Sequence, residues 1–495
     1  MSARASMFPL LAFLLLAATL AFGLFGIERS LWLDEAWVAN SVHAPTLREM
    51  FYYPGWLQTS PPLFLLLERA TIHLFGLSNA ALRAVPLTLE MAAVGLFFAA
   101  ARRVAALPLA VLATTLVAFH PVAIEYSRTA KQYSGEVAAS AALLAAASAY
   151  LGNASPRTFR WLLVALLVAP PLSYPAVFLI PGLVVAVWAT GDRRGAAWLA
   201  LTASSVLAIL YPLFIRPNYS PALRQFWAAS SEHVSSAALI AAICLCAGAL
   251  AWFAFAAGAR QWMYWICAVP GLLLVASSAL GWYPATPRTW LFVLPCLVML
   301  LAILADEFLG RWPRIVPAVS TMVWIAAAAI PLAAAWRQVH QHRNLPGEDF
   351  AGAVQFLRQH AAPADLLLVH PSVKEGFELY ATMEGFAAPR PVYGATGWPC
   401  CVRDHLAPPH SSTRQAVIDD LEAKIPRSFS GRVWLMYSSR PTQWDYTGLD
   451  EGNLWRSQAW AMGCPPEQFV AFTNVALSPM VCSARTAPSA TEPRR

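Results

Sequence analysis

Two adjacent carboxylates near the start of the chain are the first residues whose type and position could support chemistry. Asp34 and Glu35 lie in the run Leu31-Trp-Leu-Asp-Glu-Ala-Trp37, just after an apolar segment of membrane-spanning length. Because carboxylates at a membrane surface are expensive to desolvate, such a pair between aromatic rings indicates a use in binding or catalysis. The alternative is a solvated loop whose tryptophans lie in the interfacial belt of the membrane.

Another carboxylate lies within an apolar segment. Glu90 follows Arg83 by two helical turns, so the two side chains share one face of a helix. A charge at this depth should face the protein interior or a wet cavity. The alternative to a functional role is a structural link between Arg83 and Glu90 through neighbouring residues.

Charged side chains also gather in a short loop between two later apolar segments. The loop runs from His120 to Glu136 and contains Glu125, Tyr126, Arg128, Lys131, Tyr133 and Glu136. Arg288 occupies a similar place, in Trp282-Tyr-Pro-Ala-Thr-Pro-Arg288 before a further apolar segment. These cations could cap or anchor helix ends by snorkelling. On the topology predicted below, however, they lie on the same side of the membrane as Asp34.

The elements that must position these side chains are mostly membrane spans. Hydrophobic residues make up 58% of the chain and charged residues only 12%, about half the usual charged share. The chain is therefore predicted to be a polytopic α-helical membrane protein. We predict about eleven spans, near residues 7–26, 84–101, 107–124, 136–152, 161–173, 176–190, 196–215, 237–257, 262–281, 289–305 and 315–335.

Arginines in the short loops predict the orientation. With the N-terminus inside, every cytoplasmic loop contains arginine, as the positive-inside bias requires. An odd number of spans then places the C-terminal part outside. Residues 7–26 are interpreted as a retained anchor, since the run is long for a cleaved signal peptide. In the outer loop at about 28–82, Pro61 to Gly76 carries charges in an apolar run, which favours a helix lying in the membrane interface.

The C-terminal part, residues 336–483, is predicted to be an extracytoplasmic α/β domain. Helix-like stretches at 347–360 and 374–383 alternate with strands at 365–370 and 432–438 and with a strand or hairpin at 469–482. Residues 484–495 are predicted to be a disordered tail. If this side is oxidising, cysteines of the domain could pair, and these are Cys400, Cys401, Cys464 and Cys482.

Composition also excludes some classes of function. The formal net charge is +7, but the basic residues are spread through the loops and form no clustered face, which argues against nucleic-acid binding. The cysteines show no metal-type spacing. We therefore predict no obligate metal, although Asp34 and Glu136 could hold a divalent ion.

Several short motifs occur together in a characteristic order. Trp-x-Asp-Glu-Ala follows the first span, a Pro-Pro-Leu interfacial helix ends in Phe-Gly, and Ala-Leu-Arg opens the second span. The loop His-Pro…Tyr-Ser…Lys-Gln-Tyr-Ser comes next, and Pro-Arg-Thr-Trp-Leu-Phe-Val-Leu-Pro precedes a late span. Over residues 1–335, this set resembles the GT-C superfamily of integral membrane glycosyltransferases. The similar branch contains the protein O-mannosyltransferases and the lipid A aminoarabinose transferases.

The resemblance implies roles for individual residues. Asp34 would be the general base that activates an acceptor hydroxyl, with Glu35 orienting Asp34 or the acceptor. Cations would bind the phosphate of a polyprenyl-phosphate sugar donor as it leaves, and the candidates are Arg83, Lys131 and Arg288. The second acidic position of the family maps to Glu136, with Glu125 as the rival.

The resemblance also implies the reaction. A sugar, hexose or pentose, would move from the lipid-linked donor to a hydroxyl of a glycan, lipid or protein acceptor by a single inverting displacement. The site would lie at the outer face of the plasma (inner) membrane, in contact with membrane lipids. Two positions depart from relatives. Ser60-Pro61-Pro62 lacks the charged residue of aminoarabinose transferases, and Lys131 stands where many relatives carry arginine.

Two other classes of function compete with a transferase. A secondary transporter would show internal repeats and charges near the middle of the bilayer. No clear repeat is visible, and apart from Glu90 the notable charges lie at outer span ends. A membrane scaffold that presents the C-terminal domain would leave Asp34, Glu35 and the 125–136 loop unexplained.

Overall fold

The computed structural model describes most of the chain. The described residues are 3–221, 223, 236–253, 259–284, 286–312, 316–341, 347–387, 391–393, 414–426, 428–439 and 451–483. Cys400 and Cys401 lie outside these ranges, as does the predicted tail at 484–495.

The N-terminal two thirds of the chain form a bundle of helices. Its fifteen described α-helices are α1 (Ala3–Leu24), α2 (Leu33–His43), α3 (Leu47–Phe51), α4 (Pro62–Phe75), α5 (Asn79–Val104), α6 (Leu107–Ala118), α7 (Pro121–Ser127), α8 (Tyr133–Gly152), α9 (Pro156–Leu172), α10 (Ile180–Ala189), α11 (Arg193–Leu210), α12 (Ser236–Phe253), α13 (Ala259–Ala279), α14 (Leu294–Gly310) and α15 (Val316–Gln341). Within the described residues, each of the eleven predicted spans overlaps one of these helices or a broken pair.

Six helices of the described chain are long and apolar enough to cross a membrane. A seventh span results if α6 and α7, which meet at an angle of 59°, are counted as one. The predicted break at Tyr174-Pro175 is a 3₁₀ turn over Tyr174–Leu179, since proline cannot continue the hydrogen-bond ladder of an α-helix. The helices thus form a polytopic membrane domain.

Helix α8 lies at the centre of this domain. In its apolar window 78% of the residues are buried, whereas the corresponding share in α15 is only 6%. Helix α8 is rich in alanine, and these small side chains allow neighbouring helices to approach closely. Because α8 begins at Tyr133, its first turn presents Glu136 to the inside of the bundle.

The polar segment between α1 and α5 folds into short helices. Helix α4 buries Phe64, Leu65 and Ile72 on one side and exposes Leu66, Leu67 and Leu74 on the other. Two apolar surfaces on one amphipathic helix are expected where the helix lies between protein and membrane interface. Arg69 of α4 donates hydrogen bonds to the carbonyls of Val42 and Ala44, which close the C-terminal end of α2.

The C-terminal part is an α/β layer structure around a five-stranded sheet. Its strands are β1 (Leu366–Val369), β2 (Pro391–Tyr393), β3 (Gly431–Ser438), β4 (Val470–Phe472) and β5 (Val475–Cys482), in the order β2-β1-β3-β5-β4. Strand β1 pairs in parallel with β2 and β3, and β5 pairs antiparallel with β3 and β4. The surrounding helices are α16 (Phe350–His360), α17 (Lys374–Met383), α18 (Arg414–Lys424) and α19 (Glu451–Ala461).

Alternation along the strands gives the sheet two apolar faces. Leu368 and Leu435 face α18 and α19, and a disulfide between Cys464 and Cys482 closes this side. Val369 and Trp434 face α16 and α17, in an apolar cluster that continues into α2 and α4 of the membrane domain. The C-terminal part therefore packs directly on the segment that carries the acid pair.

Candidate active site

Asp34 and Glu35 lie in the first turn of α2, so their positions depend on how this helix begins. The N-terminal end of a helix has unpaired N–H groups and a partial positive charge that stabilises acidic side chains. The Glu35 carboxylate turns back and accepts a hydrogen bond from the N–H of Trp32 at 3.2 Å. Its other oxygen accepts from the N–H of Ala130 at 2.8 Å, which ties the start of α2 to the loop before α8.

Glu35 also forms a fully buried ion pair with Arg83 of α5. Arg83 Nε donates to Glu35 Oε1 at 2.9 Å and Arg83 Nη2 donates to Oε2 at 2.8 Å, and both side chains are 0% exposed. This bidentate geometry makes the pair rigid. The sequence analysis considered a structural link between Arg83 and Glu90 as the alternative to a functional role. In the structure the partner of Arg83 comes from α2, because the guanidinium extends toward the chain between α1 and α2.

The remaining donors of Arg83 hold that connecting chain. They bond to the carbonyls of Ile27 at 2.9 Å, Arg29 at 2.6 Å and Ser30 at 3.3 Å. An arginine side chain has five N–H groups, and these five bonds account for all of them. Phosphate contact by Arg83 stays a prediction that this geometry does not favour. Its contacts support a positioning role for the residues that precede Asp34.

The Asp34 carboxylate faces two other cations. Asp34 Oδ2 lies 3.5 Å from Arg288 Nη1 and 3.9 Å from Lys131 Nζ. The Asp34 side chain is 22% exposed, whereas those of Arg288 and Lys131 are 9% and 11% exposed. The fold thus brings together three predicted site residues from the start of α2, the loop before α8 and the loop before α14. Solvent or a ligand can still reach the carboxylate.

The surroundings of Lys131 favour the neutral form of its side chain. Burial lowers the pKa of its ammonium group and the nearby Arg288 lowers it further, while Asp34 and Glu35 partly oppose this effect. Two cations side by side at a buried position are costly without a permanent anionic partner for each. Asp34 Oδ2 lies within 4 Å of both cations, so one carboxylate oxygen faces two positive charges.

The two candidates for the second acidic position lie in different surroundings. Glu136 is buried on α8, and Tyr133, one turn before it, interacts electrostatically with Glu136, Arg288 and Asp34. Glu125 instead forms ion pairs with Arg29 at 2.9 Å and with Arg128 at 2.7 Å. Tyr133 is thus within electrostatic reach of both Glu136 and Asp34, whereas the two carboxylate oxygens of Glu125 form ion pairs with Arg29 and Arg128.

Two side chains from the C-terminal part contact the start of α2, and the sequence analysis missed both. Glu348 Oε2 accepts a hydrogen bond from the N–H of Leu33 at 2.7 Å, which satisfies the first N–H of α2. Tyr380 accepts from the N–H of Leu31 at 2.7 Å and donates to Asn79. Glu348 lies 315 residues from Leu33, and no local sequence signal marks such a contact.

Two buried carboxyls lie outside this group. Glu68 of α4 is 0% exposed, and burial together with the nearby Glu35 raises its pKa well above the usual range. Within the described residues its two oxygens have no hydrogen-bond partner. Glu90 of α5 is also fully buried, as expected for a carboxylate that faces the protein interior, and it lies beside Ser134.

A cavity of about 540 Å³ lies at the far end of the helices. It is lined by residues that include Ala106, Arg260, Asp306, Glu307 and Arg311. Ala106 follows the C-terminal end of α5, whereas Arg83 is near its N-terminal end, so the cavity and the acid pair are roughly 30 Å apart at 1.5 Å per residue. Among the residues placed in the structure, no group of three or more His, Cys, Asp or Glu side chains could hold a metal ion.

Comparison with known proteins identifies the fold. The chain is similar to ArnT from Cupriavidus metallidurans in the apo state, with 15% identity, a TM-score of 0.53 and coverage of 97% of this chain and 98% of that one. For the same protein bound to undecaprenyl phosphate, the identity is 15%, the TM-score 0.54 and the coverage 98% and 100%. The archaeal oligosaccharyltransferase AglB from Archaeoglobus fulgidus, in complex with an inhibitory peptide and a dolichol-phosphate, matches with 11% identity and a TM-score of 0.54, over 97% of this chain and 75% of that one.

Both similar proteins are members of the GT-C superfamily, so the predicted resemblance is confirmed at the level of the fold. The match to ArnT extends over nearly the whole chain, including the C-terminal part, for which the sequence offered no motif. No protein-family model matches the chain, and no curated protein matches its sequence.

Proposed function

We propose that the protein is a glycosyltransferase that moves a sugar from a polyprenyl-phosphate donor to an acceptor hydroxyl, with Asp34 as the general base. One observation carries this proposal. Asp34 is a partly exposed carboxylate held 3.5 Å from Arg288 and 3.9 Å from Lys131, within the fold of GT-C proteins. A base beside two buried cations suits a reaction in which a proton is removed while a phosphate departs.

The chemical step is a single displacement at the anomeric carbon. The acceptor oxygen forms a bond to this carbon and gives its proton to the Asp34 carboxylate. The bond between the anomeric carbon and the phosphate oxygen breaks, and its electron pair stays with the phosphate. The products are the glycosylated acceptor with inverted anomeric configuration, the polyprenyl phosphate with one more negative charge, and protonated Asp34, which then releases its proton to water.

Arg288 and Lys131 would stabilise the charge that develops on the leaving phosphate. Both are held in place before the donor arrives, which lowers the cost of reorganisation in the transition state. Arg288 offers a planar fork of N–H groups that suits a phosphate, whereas Lys131 acts as a point charge.

Glu35 and Arg83 would act on Asp34 indirectly. Their buried ion pair fixes the first turn of α2, and Glu348 fixes the same turn from the C-terminal part. Glu136 would be the second acidic residue, placed to orient the donor sugar or the acceptor. Asp34 and Glu136 could hold a divalent ion, but no step of the proposed reaction requires one.

The similar structures support the class of donor. ArnT was solved with undecaprenyl phosphate and AglB with a dolichol-phosphate, both of which are polyprenyl-type lipid phosphates. We extend this donor class to the present chain. The donor lipid would enter from the membrane beside the helices, and the sugar transferred would be a hexose or a pentose.

The proposed topology places the site and the C-terminal domain on the extracytoplasmic side. Residues 1–335 would form the catalytic membrane module and residues 336–483 the outer domain. Support comes from arginine in each predicted cytoplasmic loop and from the contacts of Glu348 and Tyr380 with the segment before α2. A cysteine-accessibility assay on intact cells, with single cysteines at exposed positions of the C-terminal part, would test this side.

The direct test of the proposed function compares the wild type with Asp34→Asn. Purified protein in lipid nanodiscs receives a radiolabelled polyprenyl-phosphate sugar and a membrane extract as acceptor. Loss of a general base is expected to lower the rate of transfer about 10²- to 10⁴-fold. Full transfer by Asp34→Asn would refute the role of Asp34. In sealed proteoliposomes, uptake of sugar without transfer would instead indicate a transporter.

A further inference from the structure

A series of stacked aromatic rings extends from the helix that carries Asp34. The Trp37 and Trp56 rings have centroids 6.0 Å apart with planes inclined by 25°, and the Trp56 and Tyr53 rings are 3.9 Å apart with planes inclined by 26°. We name these three residues the aromatic ladder. Trp56 is buried, while Trp37 and Tyr53 keep part of their surface accessible.

The aromatic ladder begins beside the proposed base. Trp37 follows Asp34 by three residues on α2, and side chains at this spacing lie on one face of a helix about 5–6 Å apart at their Cβ atoms. A molecule that places a hydroxyl at Asp34 can therefore rest its adjoining part against the Trp37 ring. The cations Lys131 and Arg288, by contrast, come from the α8 and α14 sides of the site.

Polar groups of the C-terminal part surround the far end of the aromatic ladder. Tyr53 interacts electrostatically with Glu375 and Glu378 of α17, and the Tyr393 hydroxyl lies near the Glu378 carboxylate. The Trp37 indole approaches the Glu375 carboxyl. Burial raises the pKa of Glu375 to about 7, so near neutral pH this carboxyl can both donate and accept a hydrogen bond.

The indole N–H of Trp56 supplies a further polar group. Trp56 is 3% exposed, and its Nε1 has no hydrogen-bond partner in the described part of the chain. Buried donors are nearly always paired, so an unpaired indole N–H within a ring stack points to a ligand that can accept a hydrogen bond.

We infer that the aromatic ladder and the carboxyls of Glu375 and Glu378 bind a saccharide, so that the acceptor of the proposed reaction is a hydroxyl of a glycan. A pyranose ring has an apolar C–H face that packs flat on an aromatic ring, and hydroxyls at its edge that bond to carboxylates. A binding site of this kind combines apolar walls with a few placed polar groups. The inference rests on the proposed function.

Other acceptors fit the observed groups less well. A peptide acceptor would need partners for its backbone N–H and C=O groups along an extended surface. An acyl chain would gain nothing from the carboxyls of Glu375 and Glu378. The three rings cover one another's inner faces, so the accessible parts of Trp37 and Tyr53, with the carboxyls alongside, fit a sugar unit at either end of the ladder.

The test uses the full chain in nanodiscs with a labelled polyprenyl-phosphate sugar and three acceptor fractions from host membranes. These are envelope glycans including glycolipids, membrane proteins freed of glycans, and lipids that carry no sugar. We expect label to enter the glycan fraction, in a product that resists protease and releases the labelled sugar on acid hydrolysis. Label that enters only protein or lipid would overturn the saccharide inference and leave the proposed transferase standing. No transfer to any fraction, and no donor hydrolysis, would refute both.

Variants at the end of the ladder test the site itself. Tyr53→Leu should raise KM for the glycan about 10-fold with less than a 2-fold change in KM for the donor, and Tyr53→Phe should restore the wild-type value because it keeps the ring. Tyr52→Leu is the matched control, since Tyr52 donates to the Leu213 carbonyl and does not join the ladder. Equal glycan KM values for Tyr53→Leu and Tyr52→Leu would overturn the assignment.

Discussion

Replacing Arg83 and Arg288 by methionine should produce two different defects, although both residues are arginines near the acid pair. Arg83→Met removes one partner of a fully buried ion pair and leaves the Glu35 carboxylate without its main countercharge. Breaking such a pair typically costs about 3–5 kcal/mol, because a charge remains buried and uncompensated. The carbonyls of Ile27, Arg29 and Ser30 lose their donor as well. We therefore expect a large fall in thermal stability.

Arg288→Met should leave the fold nearly unchanged. Its ion pair with Asp34 is longer, at 3.5 Å, and Asp34 is partly exposed, so its loss should cost less stability than the loss of the fully buried, bidentate pair of Arg83. A hydrogen bond to a charged group contributes about 1.5–3 kcal/mol. Loss of such a contact to the donor phosphate corresponds to a fall in kcat/KM of roughly 10- to 150-fold.

The assay combines thermal unfolding in detergent with transfer kinetics at varied donor concentration. Methionine keeps an unbranched chain of similar length at both positions, so the two variants are matched. Our reasoning predicts a low unfolding midpoint for Arg83→Met and a wild-type midpoint with weak transfer for Arg288→Met. A stable Arg83→Met protein with a specific rise in donor KM would refute the positioning role and support the predicted phosphate contact.

Three further outcomes follow from the buried charges. Because burial lowers the pKa of Lys131, its charge is lost early as pH rises, so donor KM should increase toward alkaline pH in the wild type and remain flatter in Lys131→Arg; parallel pH profiles would contradict this. Glu136→Gln should reduce transfer at least 10-fold while Glu125→Gln stays within about 2-fold, and the reverse order would identify Glu125 as the second acid. The folded protein holds a proton on Glu68 that the unfolded chain releases above about pH 4.3, so this group destabilises the fold as pH rises. Glu68→Gln should therefore raise the unfolding midpoint more at pH 8 than at pH 5, and an equal shift at both pH values would exclude a buried, protonated Glu68.

Secondary structure in this chain was predictable where the sequence pattern is local. Long apolar runs have few alternatives to a membrane helix, and the eleven predicted segments fall on helices within the described residues, although only six or seven of these helices are long and apolar enough to cross a membrane. The strand or hairpin predicted at 469–482 is the hairpin of β4 and β5, because alternation and a turn are encoded within a few residues. The number of helices that cross the membrane cannot be predicted from local sequence patterns alone. It depends on bends such as that between α6 and α7, where Pro121 opens the second helix.

Long-range contacts explain why the candidate site was only partly predictable. The sequence analysis proposed Asp34, Lys131 and Arg288 together because loop residues on one side of the membrane are confined to one plane. In the structure both cations lie within 4 Å of Asp34 Oδ2. The partner of Arg83 could not be read from helix spacing, which relates residues on the same helix only. Glu348 and Tyr380 contact the start of α2 across more than 300 residues of sequence, so only folding brings them there.

A structure with a non-hydrolysable polyprenyl-phosphate sugar bound tests the central claim most directly. The geometry predicts phosphate oxygens within hydrogen-bond distance of both Arg288 and Lys131, with the anomeric carbon open to attack from the side of Asp34. A donor whose phosphate lies elsewhere, with Asp34 out of reach of the anomeric carbon, would contradict the proposed reaction.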